Sequence, residues 1–297
     1  MTESEDTDMS VLEKGIYKKD RAAYETLTLK NENCSLTVCP EKGGMIISFK
    51  KGNEEYIWLR DGNFEKDERP RCGIPILFPN CGMPDNGVHV FAGKPYPIEN
   101  HGIADLLPWK VAEATDEHIV LELTPNGLTK FVYPFDFRLS MEYTLKDDCA
   151  GLSLTVENTG GQDMPYSVGF HPYFTVSDVD NVSFDIHADT YSDHAKGEQP
   201  AAPAVITLPR NPQSDSNIRF LTGIQNPMVF KDAGNGHTVT VSFDENFRHG
   251  VLWEQEAESF VCMEPWNGWA NSLNEEGRHE TAKPGEKKTF LWHITIA

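Results

Sequence analysis

Hydrophobic and polar residues alternate with a period of two along most of the chain. In FRLSMEYTL (137–145), Phe137, Leu139, Met141, Tyr143 and Leu145 alternate with Arg138, Ser140, Glu142 and Thr144. This is the pattern of a strand with one buried and one wet face. KDDCAG supplies turn residues, and LSLTVEN (152–158) resumes the alternation with Leu152, Leu154 and Val156 on one side. The two runs read as an antiparallel hairpin. SLTVC (35–39), MIISFKK (45–51), HIVLEL (118–123), NVSFDIHA (181–188), HTVTVSFD (237–244) and TFLWHITI (289–296) behave alike. No run has the period of a long amphipathic helix, and short helical turns are expected only near 60–66 and 216–224. Many strands separated by polar turns predict an all-β protein, a single large antiparallel β-sandwich. The loosest stretch, KGEQPAAPAVITLPRNPQSDSN (196–217), reads as a surface excursion.

Length and composition leave that picture as one domain over residues 1–297. The chain has 39% hydrophobic and 10% aromatic residues, enough for a substantial core, and sandwiches reach this size undivided. Residues 1–10, MTESEDTDMS, are acidic and predict a flexible tail. They lack the basic start and apolar centre of a secretory signal, and no apolar run is long enough for a membrane helix. The balance of 46 acidic against 26 basic residues, a formal charge of -20, disfavours nucleic acid and anionic membranes as partners. None of the six cysteines forms a C-x-x-C pair, so zinc-site spacing is absent. The expectation is a cytoplasmic protein with reduced thiols.

Three regions interrupt the strand pattern with ionisable residues among Gly, Pro and aromatics. They are RPRCGIPILFPNCG (69–82) with ENHGIADLLPW (99–109), MPYSVGFHPYF (164–174), and VCMEPWNGWANS (261–272). Glu264 ends an apolar run, where desolvation raises a carboxyl toward a useful proton acceptor; an ion pair or a turn acceptor is the plainer reading. His171 lies among Tyr166, Phe170, Tyr173 and Phe174 and reads equally as a core histidine bonded to a carbonyl. His101 reads as a turn residue and Arg71 as a surface cation when each is taken alone. Together, two histidines, a carboxylate, an arginine and aromatic faces make a set suited to a sugar, whose C–H faces stack on rings and whose hydroxyls need polar partners.

PILFPNCG, NHGIAD, PYSVGFHPYF and CMEPWNG stand in the order and approximate spacing of the aldose 1-epimerase (mutarotase) family. The chain resembles its bacterial branch from about residue 38 to the last strand. The resemblance implies the β-supersandwich fold and interconversion of the α and β anomers of a free sugar, without metal or organic cofactor. It implies that His171 is the general acid toward the ring oxygen, that Glu264 is the base toward the anomeric hydroxyl, and that His101 polarises the ring-oxygen side. It also implies sugar contacts from Arg71, Asn80, Phe170, Trp253 and Trp266. The chain departs from the family pattern at HGIAD, where Ile103 replaces an aromatic residue and Asp105 a cation, and at Met83, where relatives carry a basic residue. Two alternatives stand beside the free-aldose reading. One is a hexose-6-phosphate 1-epimerase, for which Arg69 and Arg71 are the candidate phosphate cations with Lys94 more remote. The other is a non-catalytic sugar-binding protein. The acid and base are expected several ångströms apart, with a sugar ring between them.

Overall fold

Strand Phe137–Lys146 buries every second residue, with Phe137, Leu139, Met141, Tyr143 and Leu145 inside. Its partner Cys149–Asn158 pairs antiparallel along its whole length, with Lys146 opposite Cys149. That leaves Asp147 and Asp148 as a two-residue turn, and Asp147 takes a left-handed φ of 53°. Tight hairpins demand this conformation, and aspartate tolerates it better than most residues.

The computed structural model describes residues 10–19, 22–60, 62, 69–193, 197–200, 208, 216–255 and 258–297. Among these, two eight-stranded antiparallel sheets and a five-stranded amino-terminal sheet make up most of the fold. The first large sheet runs in the order Val182–Asp185, Met228–Asp232, Thr238–Phe243, Lys287–Ile296, Cys149–Asn158, Phe137–Lys146, His118–Leu123, Lys110–Ala114. The second is centred on His249–Gln255 and Phe260–Trp266, flanked by Ser216–Thr222 on one side and by Gly169–Phe170, Tyr173–Thr175 and Ile76–Leu77 on the other. One apolar cluster takes Met141, Leu154 and Trp292 from the first sheet, Leu221, Leu252 and Met263 from the second, and Leu36 and Phe49 from the amino-terminal sheet. The antiparallel β-sandwich expected from the alternation is therefore the architecture. Helix among the described residues is limited to Thr129–Val132 and four 3-10 turns, and no helix is long and apolar enough to cross a membrane.

Residues 216–224 differ from the expected helical turn. Ser216–Thr222 is a strand hydrogen-bonded on both sides, to Thr190–Asp193 and His249–Gln255. Two ready-made edges override a weak local preference, because strand formation depends more on cross-strand neighbours than on intrinsic propensity. Residues 61 and 63–66 of the other expected turn lie outside the described residues, as do 1–9 of the acidic tail. Of the expected excursion, Gly197–Pro200 is a strand paired with Thr190–Asp193, and 196, 201–207 and 209–215 lie outside the described residues. All six cysteines are free.

Candidate active site

Strand Phe260–Trp266 is buried along its whole length, so both of its faces are used. Val261 and Met263 point into the main core. Cys262, Glu264 and Trp266, offset by one residue, point to the other face, as the two-residue period of a strand requires. The strand that precedes it, His249–Gln255, places Val251 opposite Glu264 and Trp253 opposite Cys262. On the other side Gly169 pairs with Trp266 and Tyr173 with Cys262. That register places His171 directly across from Glu264 with its side chain on the same face. Opposed residues in antiparallel strands hold their Cβ atoms about 4.5–5.5 Å apart, and His171 Nε2 lies 3.4 Å from Glu264 Oε1. A side chain at position 169 would collide with the Trp266 ring, 2.6 Å from its nearest carbon. Glycine there lets the indole lie flat against the strand beside the carboxyl.

His101 arrives from a turn outside this sheet. It has a φ of 65° and is followed by Gly102 at 78°. A Cβ on Gly102 would lie 2.2 Å from the Phe78 carbonyl oxygen, so only glycine permits this approach. The left-handed His101 backbone is sparsely populated for a non-glycine residue and persists where its surroundings hold it. Two bonds do so: its amide donates to the Gly82 carbonyl (3.1 Å), and the Gly82 amide donates to its Nδ1 (2.9 Å). Because Nδ1 accepts, the ring proton of the neutral imidazole sits on Nε2. The ring packs edge-on against His171 (centroids 5.1 Å) and Trp266 (5.7 Å).

These residues line one cavity of about 520 Å³, together with Arg69, Arg71, Asp105, Tyr173 and Trp253. Trp253 stands edge-on to His171, and Tyr173 stacks flat on it at 4.7 Å. Glu264 forms the floor; its Oε2 accepts from Trp266 Nε1 (3.1 Å) and its Oε1 has no hydrogen-bond partner. Burial raises the Glu264 carboxyl well above its ordinary range, and only the Trp266 donor opposes it. Burial lowers His171, with the Arg69 and Arg71 guanidiniums adding to the effect. His101 is also lowered by burial, then by His171 and Arg69. The pair therefore favours one proton rather than two or none, and His101 offers a fixed N–H. With Cys262 the pair also brings three metal-competent atoms within 4.8 Å of one another, although burial keeps the Cys262 thiol protonated.

Of the residues singled out in the sequence, His171, Glu264, His101, Arg71, Trp253 and Trp266 meet in this cavity. Phe170 does not. It is fully buried and stacks on Trp292 at 4.4 Å in the core, because it follows Gly169, which sits opposite Trp266 on the cavity face, and so points the other way. Asn80 is also buried away from the lining; its amide donates to the carbonyls of Gly82 (2.7 Å) and Glu99 (3.3 Å) and braces the turn that carries His101. The expected gap of several ångströms between acid and base is replaced by a 3.4 Å contact. The chemical reason is plain: the ring oxygen and the anomeric oxygen are bonded to the same carbon, so two groups side by side can reach both. Sequence reading missed Tyr173, although its place two residues after His171 on one strand is a usable signal. It also missed the Arg69–Asp105 ion pair at the cavity wall.

The aldose 1-epimerase family model matches residues 25–295. The chain belongs to the aldose 1-epimerase family. Among relatives, the chromosomal protein LacX of Lactococcus lactis subsp. lactis is 26% identical over 291 residues, 89% of this chain and 95% of its own. A protein of Cenchrus ciliaris named as a candidate glucose-6-phosphate 1-epimerase is 32% identical over 175 residues, 53% of this chain and 49% of its own. The crystal structure of Slr1438 from Synechocystis sp. PCC 6803 superposes with a TM-score of 0.85 at 28% identity, over 95% of this chain and 98% of that one. The family implies a carbohydrate epimerase, and the cavity just described is its candidate active site.

Proposed function

We propose that this chain, folded as one domain in the cytoplasm, is an aldose 1-epimerase that interconverts the α and β anomers of a free aldose. The observation that carries this reading is the His171–Glu264 pair, 3.4 Å apart at the floor of an aromatic-walled cavity. Anomerisation removes a proton from the anomeric hydroxyl and delivers one to the ring oxygen, breaking the bond from the ring oxygen to the anomeric carbon. In the acting state ionised Glu264 accepts the first proton and protonated His171 supplies the second. The open-chain aldehyde turns about its bond to the next carbon, and closure reverses both transfers. Each turnover thus restores the pair, and no net proton is gained or lost. His101, whose Nε2–H faces the same cavity, steadies charge that develops on the oxygens. Trp253 and Trp266 offer apolar surface to the sugar, and Arg71 a hydroxyl donor. The six free thiols accord with a reducing compartment.

The direct test is exchange between anomers of glucose, galactose and glucose 6-phosphate, followed by NMR. Exchange above the buffer rate is the expected result; binding without exchange would replace catalysis by sugar binding.

The electrostatics predict the pH profile. His171 is held below its ordinary 6.5 and Glu264 above its ordinary 4.5. The singly protonated pair therefore spans neutrality. As pH falls, a second proton enters only below 6.5, where His171 titrates, and kcat/KM drops. As pH rises, the one shared proton is lost well above 4.5, and kcat/KM drops again. A plateau across neutral pH is expected in buffer-corrected exchange rates. An acid limb at or above 6.5 would contradict a His171 held below its ordinary range by burial.

A further inference from the structure

Among the described residues Asp105 is the one acidic side chain on the cavity wall besides Glu264, and the chemistry above does not use it. It is 2% exposed. Its Oδ2 accepts from Arg69 Nη1, and Arg69 Nη2 donates to the Gly102 carbonyl at 2.8 Å. Arg69 is thereby tied at both ends of its guanidinium, and it fixes the carboxylate relative to the His101–Gly102 turn. The other oxygen, Oδ1, is buried and has no hydrogen-bond partner. A buried acceptor without a protein donor carries an unmet desolvation cost that a donor on a ligand would relieve. Burial lifts the Asp105 carboxyl to about 7 against the pull of Arg69, the condition of an acceptor short of donors.

A sugar hydroxyl supplies what Oδ1 lacks. A phosphate monoester does not, since at neutral pH it is mostly acceptor and its charge opposes the carboxylate. Arg69, a cation that a phosphate would seek, is already engaged by Asp105 and the Gly102 carbonyl. Resting on the epimerase reading, we propose that Asp105 is a specificity-determining residue: its free Oδ1 accepts a bond from a ring hydroxyl other than the anomeric one, with Arg69 as its positioning residue. The site thereby selects an uncharged aldose over its phosphate ester.

The test compares wild type with Asp105→Asn on three probes: a free aldose, its monodeoxy analogues, and the hexose 6-phosphate. Anomer exchange gives KM and kcat, and quenching of Trp253 and Trp266 fluorescence gives binding. With Asp105→Asn, KM for the free aldose should rise roughly 10-fold, the loss of one hydrogen bond to a charged group, while kcat changes far less. One monodeoxy analogue should already bind wild type about 10-fold more weakly, and for that analogue the substitution should add little. Preference for the free aldose over the phosphate should shrink. Should Asp105→Asn lower the melting temperature too far, Arg69→Gln, which leaves Asp105 present but unanchored, should raise KM in the same direction. An unchanged KM in the folded variant, or a wild type that prefers the 6-phosphate, would overturn the proposal. Absence of exchange in wild type would sink the epimerase reading alone; the fluorescence titrations would still decide the role of Asp105.

Discussion

Glu264→Gln should slow anomer exchange by roughly 10²–10⁴-fold, the usual share of a positioned general acid or base. Glutamine keeps the shape of the side chain and can still accept from Trp266 Nε1, which now bonds Oε2, so the floor of the cavity stays in place. What it removes is the group that exchanges a proton with the anomeric oxygen. His171→Asn should lose a comparable factor, because the ring oxygen then departs without a proton. The double substitution should be far less than multiplicatively worse, since the two side chains hold one proton between them and act as a unit. The alkaline limb of the pH profile should vanish with Glu264→Gln, because its titration belongs to that carboxyl. Sugar binding should outlast turnover, as an amide still meets a hydroxyl. NMR exchange rates on the three variants, with a thermal melt of each, are the measurement. Wild-type exchange in Glu264→Gln would take this carboxyl out of the chemistry.

Phe170→Ala should do the opposite, although residue 170 adjoins His171. Phe170 is fully buried and stacks within 4.4 Å of the Trp292 ring, on the core side of the sheet. Truncation removes its transfer energy and leaves a void, costing about 3–5 kcal/mol. Urea unfolding should show that loss as a lower midpoint at unchanged slope. Exchange measured well below the melt should fall much less than in Glu264→Gln. A large rise in KM with little loss of stability would place Phe170 in the sugar pocket after all. The pair of experiments separates the two faces of one sheet.

The alternation in FRLSMEYTL and its partner run was enough to read the hairpin, because a strand with one face in the core must repeat every two residues. The same rule, applied one residue at a time, would have removed Phe170 from the pocket and added Tyr173. His171 fixes the parity, and only its odd-numbered neighbours on that strand share its face. Asn80 was beyond such reasoning. Its amide braces a turn whose other members, Gly82 and Glu99, come from both sides of a hairpin, and no local period reports that.

The sequence by itself determined the class of fold, the strands with one buried and one wet face, and the three segments that line the candidate site, since each rests on patterns within about ten residues. The tertiary structure alone decided what those segments do to one another. Glu264 and His171 are nearly a hundred residues apart in the chain, and only the register Gly169 with Trp266 and Tyr173 with Cys262 sets them face to face. Arg69 and Asp105 look like a phosphate cation and a lost one when read along the chain. The fold joins them into an ion pair on the cavity wall, with the second carboxylate oxygen left without a hydrogen-bond partner. Pairing register and burial are properties of segments brought together from a distance, and they set both the contact between His171 and Glu264 and the ion pair on the cavity wall.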